Sequence, residues 1–143
     1  MSHAHLLTGK SVLVTGAAGC IGAWVVKLLH EAGANPVVFD IVENRQRLDL
    51  IMEDADAVTW ECGDITDYAR LNSVCAQYSL EAIIHLAALQ VPFCKADPVG
   101  STQINVMGSI NILEVARQQS ISRLSYASSI AAPAMTSGSE EHT

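Results

Sequence analysis

The stretch that most limits what this chain can become runs from Ser11 to Gly22. An apolar run, Ser11-Val12-Leu13-Val14, leads into Thr15-Gly16-Ala17-Ala18-Gly19-Cys20-Ile21-Gly22. A short, continuously apolar run fits a central parallel strand covered on both faces. From Ile21 the apolar positions fall at 21, 24, 25, 28, 29 and 32, the spacing of one helix face, and Gly33 supplies the stop. Strand, glycine turn and helix in that order present a helix N-terminus whose unpaired N–H groups and partial positive charge favour a phosphate. Glycines let the backbone come close to a pyrophosphate where a side chain would collide. The stretch reads as a dinucleotide-binding loop.

The rest of the chain repeats the alternation. Pro36 to Asp40 is a second strand that ends on a carboxylate, with proline tolerated at its first position. Ile41 to Asp56 is ragged, with a short helix expected within Arg45–Met52. Ala57 to Trp60 reads as a third strand running into Cys62-Gly63-Asp64-Ile65, and Thr66 as the N-cap of a helix reaching about Tyr78. Ala82 to Leu86 is a fourth strand, followed by a long loop, Ala87 to Ala96. Asp97-Pro98 then opens a helix to about Gln119. Gly108 lies inside that helix, where glycine costs about 1 kcal/mol against alanine and calls for a packing or ligand reason. Leu124 to Ser128 is the fifth strand.

Strands alternating with helices imply right-handed βαβ units, hence an α/β doubly wound parallel sheet (Rossmann fold) of about five strands. It occupies residues 10–132, between a short polar tail at 1–9 and an irregular polar tail at 133–143. In such sheets ligands bind at the carboxyl ends of the strands. The glycine loop, Asp40, Asp64, His85 and Ser129 all fall at such ends.

Composition excludes other classes. Hydrophobic residues make up 50% of the 143 and charged residues 16%, so the chain packs a core. A net charge of −7 argues against nucleic-acid binding, and no apolar run is long enough to span a membrane. Cys20, Cys62, Cys75 and Cys94 show neither zinc nor disulfide spacing, which fits reduced thiols in a cytoplasmic protein; no metal site is expected. Cys94 beside Lys95 reads as an ordinary loop cysteine.

Asp40 follows Gly22 by 18 residues, where a carboxylate accepts hydrogen bonds from both hydroxyls of an adenosine ribose. Like charges about 4 Å apart repel by around 4 kcal/mol at an effective dielectric of 20, and by about 1 kcal/mol in water. A 2′-phosphate is therefore disfavoured beside Asp40, favouring NAD over NADP, with Arg45 and Arg47 near enough in sequence to weaken the preference. Taken alone, Asp64-Ile65 reads as a helix cap and His85 as a packed or backbone-bonded histidine.

At these residues the chain resembles the extended short-chain dehydrogenases/reductases, and within them the NAD-dependent epimerase/dehydratase group that includes sugar-nucleotide 4-epimerases. The resemblance rests on Thr15-Gly-x-x-Gly-x-x-Gly22, Gly63-Asp64-Ile65, His85-Leu86-Ala87-Ala88, Asn105-Val-x-Gly108 and Ser128-Ser129, in that order. It implies that Gly16, Gly19, Cys20, Ile21 and Gly22 line the pyrophosphate. It implies, too, that Asp64 bonds the adenine with Ile65 against the ring, and that Leu86, Ala87 and Ala88 run along the cofactor. Asn105 would hold that loop and the nicotinamide end, and Ser129 the reacting substrate oxygen. The implied activity is hydride transfer on a sugar or sugar-nucleotide.

The resemblance also implies a tyrosine acid/base with a lysine four residues on, which lowers the phenol pKa. Four residues after Tyr68, Tyr78 and Tyr126 stand Asn72, Ala82 and Ile130, so the chain contains no such pair. The segment after Ser129 also lacks the Tyr-Gly that relatives carry. The expectation is the amino-terminal part of a larger enzyme, inactive alone, whose uncovered apolar surface invites pairing of two copies. The alternative is a non-catalytic NAD(P)-binding module or degenerate paralogue.

Overall fold

β1 (Ser11–Thr15) is buried along nearly its whole length because both of its faces are covered. Val12 and Val14 point into one core and Leu13 into another, on opposite sides of the sheet. A computed structural model describes residues 6–128. It contains five parallel strands in the order β3-β2-β1-β4-β5, with β2 at Asn35–Asp40, β3 at Thr59–Cys62, β4 at Ala82–His85 and β5 at Arg123–Tyr126. Thr15 lies in register with Phe39 on one side and His85 on the other, so β1, β2 and β4 end at one level. The chain reverses direction across the sheet between β1 and β4, the crevice where ligands of such sheets bind.

Helix α1 (Cys20–Glu31) sends Ala23, Val26 and Leu29 into the core that holds Val12, Val14 and Val38. Leu48 of the short α2 (Gln46–Asp49) closes the same core. On the opposite face, α3 (Tyr68–Gln77) and α6 (Gly108–Gln118) contribute Leu71, Val74, Ile112 and Val115 around Leu13, Phe39 and Ile83.

Several boundaries differ from the sequence expectation, each for a physical reason. β3 begins two residues later than expected, because Ala55–Ala57 forms a 3₁₀ turn that buries Ala55. α3 is capped by Asp67, which accepts from Arg70 N at 3.0 Å, and Thr66 stays in the preceding turn. The expected loop after β4 contains α4 (Val91–Ala96), a helix that buries none of its residues and so carries no periodic signal. The expected helix to about Gln119 is present and unbroken from Pro98 to Gln118, but it widens within: a π-type turn at Gln103–Met107 lies between α5 (Pro98–Thr102) and α6. Asp97 caps the first piece through Gly100 N at 2.9 Å.

Gly108 has a packing reason. A Cβ there would sit 2.7 Å from Cγ2 of Ile65, so α6 approaches the Gly63–Ile65 turn only because this position is bare. Among the described residues no helix is long and apolar enough to cross a membrane.

Candidate functional site

An open groove of about 630 Å³ runs across the carboxyl ends of β1, β2 and β4, within the usual size range of small-molecule sites. Its first wall is the glycine loop. Gly16 adopts φ +73°, and a Cβ on it would fall 2.7 Å from Ala87 N and 2.9 Å from the Leu86 carbonyl carbon. A Cβ on Gly22 would lie 2.6 Å from Ala17 Cα and collide with the Gly16 carbonyl oxygen as well. Gly19 is the N-cap of α1 with no side-chain cap, and the first turn holds no acidic residue. The helix start therefore keeps its N–H groups and partial positive charge for an anion. Ile21, 68% exposed despite being apolar, and Cys20 border the groove at this point.

Asp40 closes the far end of this wall. Its Oδ2 accepts from Ala18 N at 3.1 Å and its Oδ1 from Ile41 N at 2.8 Å. Arg47, from α2, donates through Nη1 to the Ala18 carbonyl at 2.8 Å and borders the groove beside Asp40. Arg45 does not reach it. Its guanidinium donates to the Ala55 and Val58 carbonyls and lies 5.3 Å from the centre of the Trp60 ring. The expectation that both arginines can approach the ribose site is corrected to one.

The floor comes from the turn after β3. Asp64 takes both Thr66 N (2.8 Å) and Thr66 Oγ1 (2.7 Å) on its Oδ1, and Ile65 is buried while still bordering the groove. Asn111 Nδ2 fixes the turn from α6 by donating to the Ile65 and Thr66 carbonyls.

The second wall is Leu86, Ala87, Ala88 and Leu89, held by side chains distant in sequence. The buried Thr15 Oγ1 accepts from Leu86 N at 3.1 Å and Ala87 N at 3.2 Å. It also lies 2.7 Å from His85 Nδ1. With two N–H groups on its lone pairs, the hydroxyl must give its own proton to Nδ1. His85 then carries its hydrogen on Nε2 and donates to Ser109 Oγ at 3.1 Å, while Ser109 donates to the Asn105 carbonyl at 2.7 Å. Burial pushes the His85 pKa below its ordinary value, consistent with a neutral ring. His85 is thus a packed, hydrogen-bonded histidine.

Asn105 sits behind this wall, outside the groove. Its Oδ1 accepts from Leu89 N at 2.7 Å and its Nδ2 donates to the Leu89 carbonyl at 3.0 Å, a two-point grip on the loop. Cys94 Sγ donates to the same carbonyl at 3.3 Å. The structure thus brings Gly16, Gly19, Cys20, Ile21, Gly22, Asp40, Asp64, Ile65, Leu86, Ala87 and Ala88 to one groove. Ser129 lies outside the described residues. The sequence alone did not mark Leu89, Gln90 or Ile104 as groove residues: Leu89 and Gln90 have only their place just after β4 to single them out, and Ile104, inside a helical stretch, has no signal at all.

Comparison with known proteins agrees with this geometry. The model of the NAD-dependent epimerase/dehydratase family matches residues 12–143. A UDP-glucose 4-epimerase of Rhizobium leguminosarum bv. trifolii is 37% identical over 129 residues, covering 87% of this chain and 37% of that protein. The UDP-glucose 4-epimerase of Brucella ovis, solved in complex with NAD, superposes with a TM-score of 0.71 at 32% identity, over 85% of this chain and 36% of that one. An L-threonine dehydrogenase of Clostridium difficile gives 0.75 at 30% identity, over 87% and 38%. The chain therefore spans less than two-fifths of the length of these relatives.

Proposed function

The chain belongs to the NAD-dependent epimerase/dehydratase family, and on that premise we propose that it is the cofactor-holding part of an enzyme acting on a sugar or sugar-nucleotide by hydride transfer. The observation that carries this reading is the close approach at Gly16 and Gly22 beside an uncapped α1, with Asp40 across the same groove. A methyl group at either glycine would meet backbone, that of Leu86 and Ala87 at Gly16 and that of Gly16 and Ala17 at Gly22, so the loop keeps the tight shape that suits a pyrophosphate only while both positions are bare.

NAD, when bound, supplies the hydride acceptor and donor. The chain's own residues hold and orient it. Cys20, Ile21 and Gly22, in the first turn of α1, would offer backbone N–H groups to the pyrophosphate, while Gly16 and Gly19, whose N–H groups donate to the Phe39 and Gly16 carbonyls, would offer it a bare surface. Asp40, whose carboxylate keeps acceptor sites beside its bonds from Ala18 N and Ile41 N, would accept from the ribose hydroxyls. Asp64 would accept from the adenine amino group, and Ile65 would give the ring an apolar contact. Leu86, Ala87 and Ala88 form the apolar side, kept in place by Thr15 and Asn105. Ser129 holds the reacting substrate oxygen.

The sugar-nucleotide reading is supported by the 4-epimerase relatives, whereas the threonine dehydrogenase likeness supports only the shared hydride chemistry. A second reading, a binding module without catalysis, draws on the lack of any Tyr-x-x-x-Lys in these 143 residues. A Tyr-x-x-x-Lys in the coding frame beyond Thr143 would decide for the enzyme.

Calorimetric titration of the folded chain with NAD tests the common premise. Saturable one-to-one binding is expected, without turnover of UDP-glucose. Folded protein that binds no NAD overturns the reading, and measurable epimerisation overturns the assignment of this part to binding alone.

A further inference from the structure

His85, 5% exposed at the end of β4, is a titratable side chain that the proposed chemistry leaves idle. Its Nδ1 takes the proton of the Thr15 hydroxyl, and its Nε2–H goes to Ser109, whose own proton goes to the Asn105 carbonyl. Thr15 and Asn105 are the two residues that hold the Leu86–Leu89 wall. Nε2 carries hydrogen whether the ring is neutral or charged, so only the Thr15 link depends on the proton. A charged ring carries hydrogen on Nδ1 too, which turns that atom from acceptor to donor. The Thr15 hydroxyl must then present a lone pair to the ring, and its own hydrogen swings toward Leu86 N or Ala87 N. Thr15 is 0% exposed, so the displaced hydrogen does not reach solvent. Leu86 N can fall back on the Thr15 carbonyl at 3.2 Å, whereas Ala87 N has no second acceptor among the described residues. Ala87 N also lies 2.7 Å from where a Cβ on Gly16 would stand, so a shift of the wall there reaches the glycine loop.

We propose that His85 is a positioning residue that makes cofactor affinity depend on pH: neutral, it lets Thr15 hold both N–H groups of the wall, and protonated, it takes one of them away. The inference rests on the NAD-binding reading above. Of the elements packed against β4, β1 presents the Thr15 hydroxyl, α6 the Ser109 hydroxyl and β5 the Tyr126 phenol, in register with His85. The charged residues of these elements stand away from the ring: Arg123 begins β5, and Glu114 and Arg117 pair with each other toward the end of α6. Burial alone lowers the His85 pKa, with no contribution from a neighbouring charge. The groove that binds the cofactor is the one with a neutral ring, so binding lowers the pKa further and expels the proton that part of the free chain carries in mild acid.

The test is calorimetric titration with NAD from pH 7.5 down to 5.5, over the range where circular dichroism shows the chain folded, for wild type, His85→Asn and His85→Leu. Wild-type affinity is expected to fall with pH toward a limit about fivefold weaker, the scale of one hydrogen bond lost from the wall. An Asn amide oxygen can stand where Nδ1 does and accept the Thr15 proton without titrating; Leu cannot. At pH 7.5 His85→Leu should therefore bind NAD about fivefold more weakly than wild type, His85→Asn should recover part of that loss, and neither should share the wild-type slope. Asp40 and Asp64 titrate alike in all three, so the difference in slope belongs to His85. Repeating the wild-type and His85→Asn titrations at pH 6 in buffers of different ionisation enthalpy counts protons, and a release in wild type that His85→Asn lacks is expected. That count needs only one pH and one conservative variant, so it stands if His85→Leu does not fold. Equal slopes or equal proton release in wild type and His85→Asn would place the linkage on another group and overturn the inference. So would a His85→Leu that binds NAD as tightly as wild type. If folded wild type binds no NAD at pH 7.5, the NAD-binding reading itself fails and takes this inference with it.

Discussion

The two walls of the groove are built on opposite principles. The glycine wall is shaped by missing side chains: Gly16 and Gly22 let three backbone segments meet at distances that a methyl group forbids. The Leu86–Leu89 wall is shaped by added side chains, since Thr15 and Asn105 supply the hydrogen bonds its backbone cannot find within itself. One wall is fixed by sterics and fails abruptly when crowded. The other is fixed by a few hydrogen bonds and loosens by degrees.

That contrast ranks the expected effects. Gly22→Ala should be most damaging, costing about 3 kcal/mol because backbone has to move, and abolishing NAD binding. Thermal unfolding and titration of the variant check it; near-wild-type values for both would show that the glycine wall yields more readily than its geometry implies. Thr15→Val keeps the shape of a fully buried residue but orphans Ala87 N and removes the proton given to His85 Nδ1. A loss of about 2 kcal/mol is expected in denaturant unfolding.

Asn105→Ala should cost less, about 1 kcal/mol, since Cys94 still bonds the Leu89 carbonyl. Its signature is a several-fold weaker NAD affinity beside that smaller loss of stability, and an unaltered titration would detach Asn105 from the groove.

The smallest effect is a pH dependence. The His85 pKa is lowered by burial, so the unfolded chain binds this proton more readily than the folded one. The stability conferred by the neutral ring is full above the unfolded value of about 6.5 and is lost progressively as pH falls below it, through the folded pKa. Unfolding midpoints between pH 7.5 and 5.5 should fall for wild type and less for His85→Gln; parallel slopes would mean that another group carries the acid sensitivity.

The same contrast explains what could be read from sequence. The turn that the glycines make is local even though Gly16 packs against the distant Ala87, so the loop, α1 and the doubly covered β1 are legible in Val12-Leu13-Val14 and the spacing that follows. The hydrogen bonds of the second wall join residues 16 to 72 positions apart, and no local pattern announces them. β3 was displaced because Ala57-Val58 is apolar like a strand yet belongs to a turn and the step out of it. α4 has no sequence signature, because a helix with no buried residue has no apolar face. The fates of Arg45 and Arg47 were inseparable until Trp60 and Ala18 were placed beside them.

The wide turn at Gln103–Met107 has a consequence for how the site is tuned. Each residue of an α-helix advances the side chains by about 100°, so one extra residue in a turn shifts the phase of everything after it. Asn105 must meet Leu89, while Gly108 must lie flat on Ile65 and Ile112 must enter the core. The wide turn works as a vernier between these demands. It lets the angular setting of the groove-side residues be chosen separately from that of the sheet-side residues. Shortening it by one residue would trade one alignment for the other without changing a single contact-making side chain.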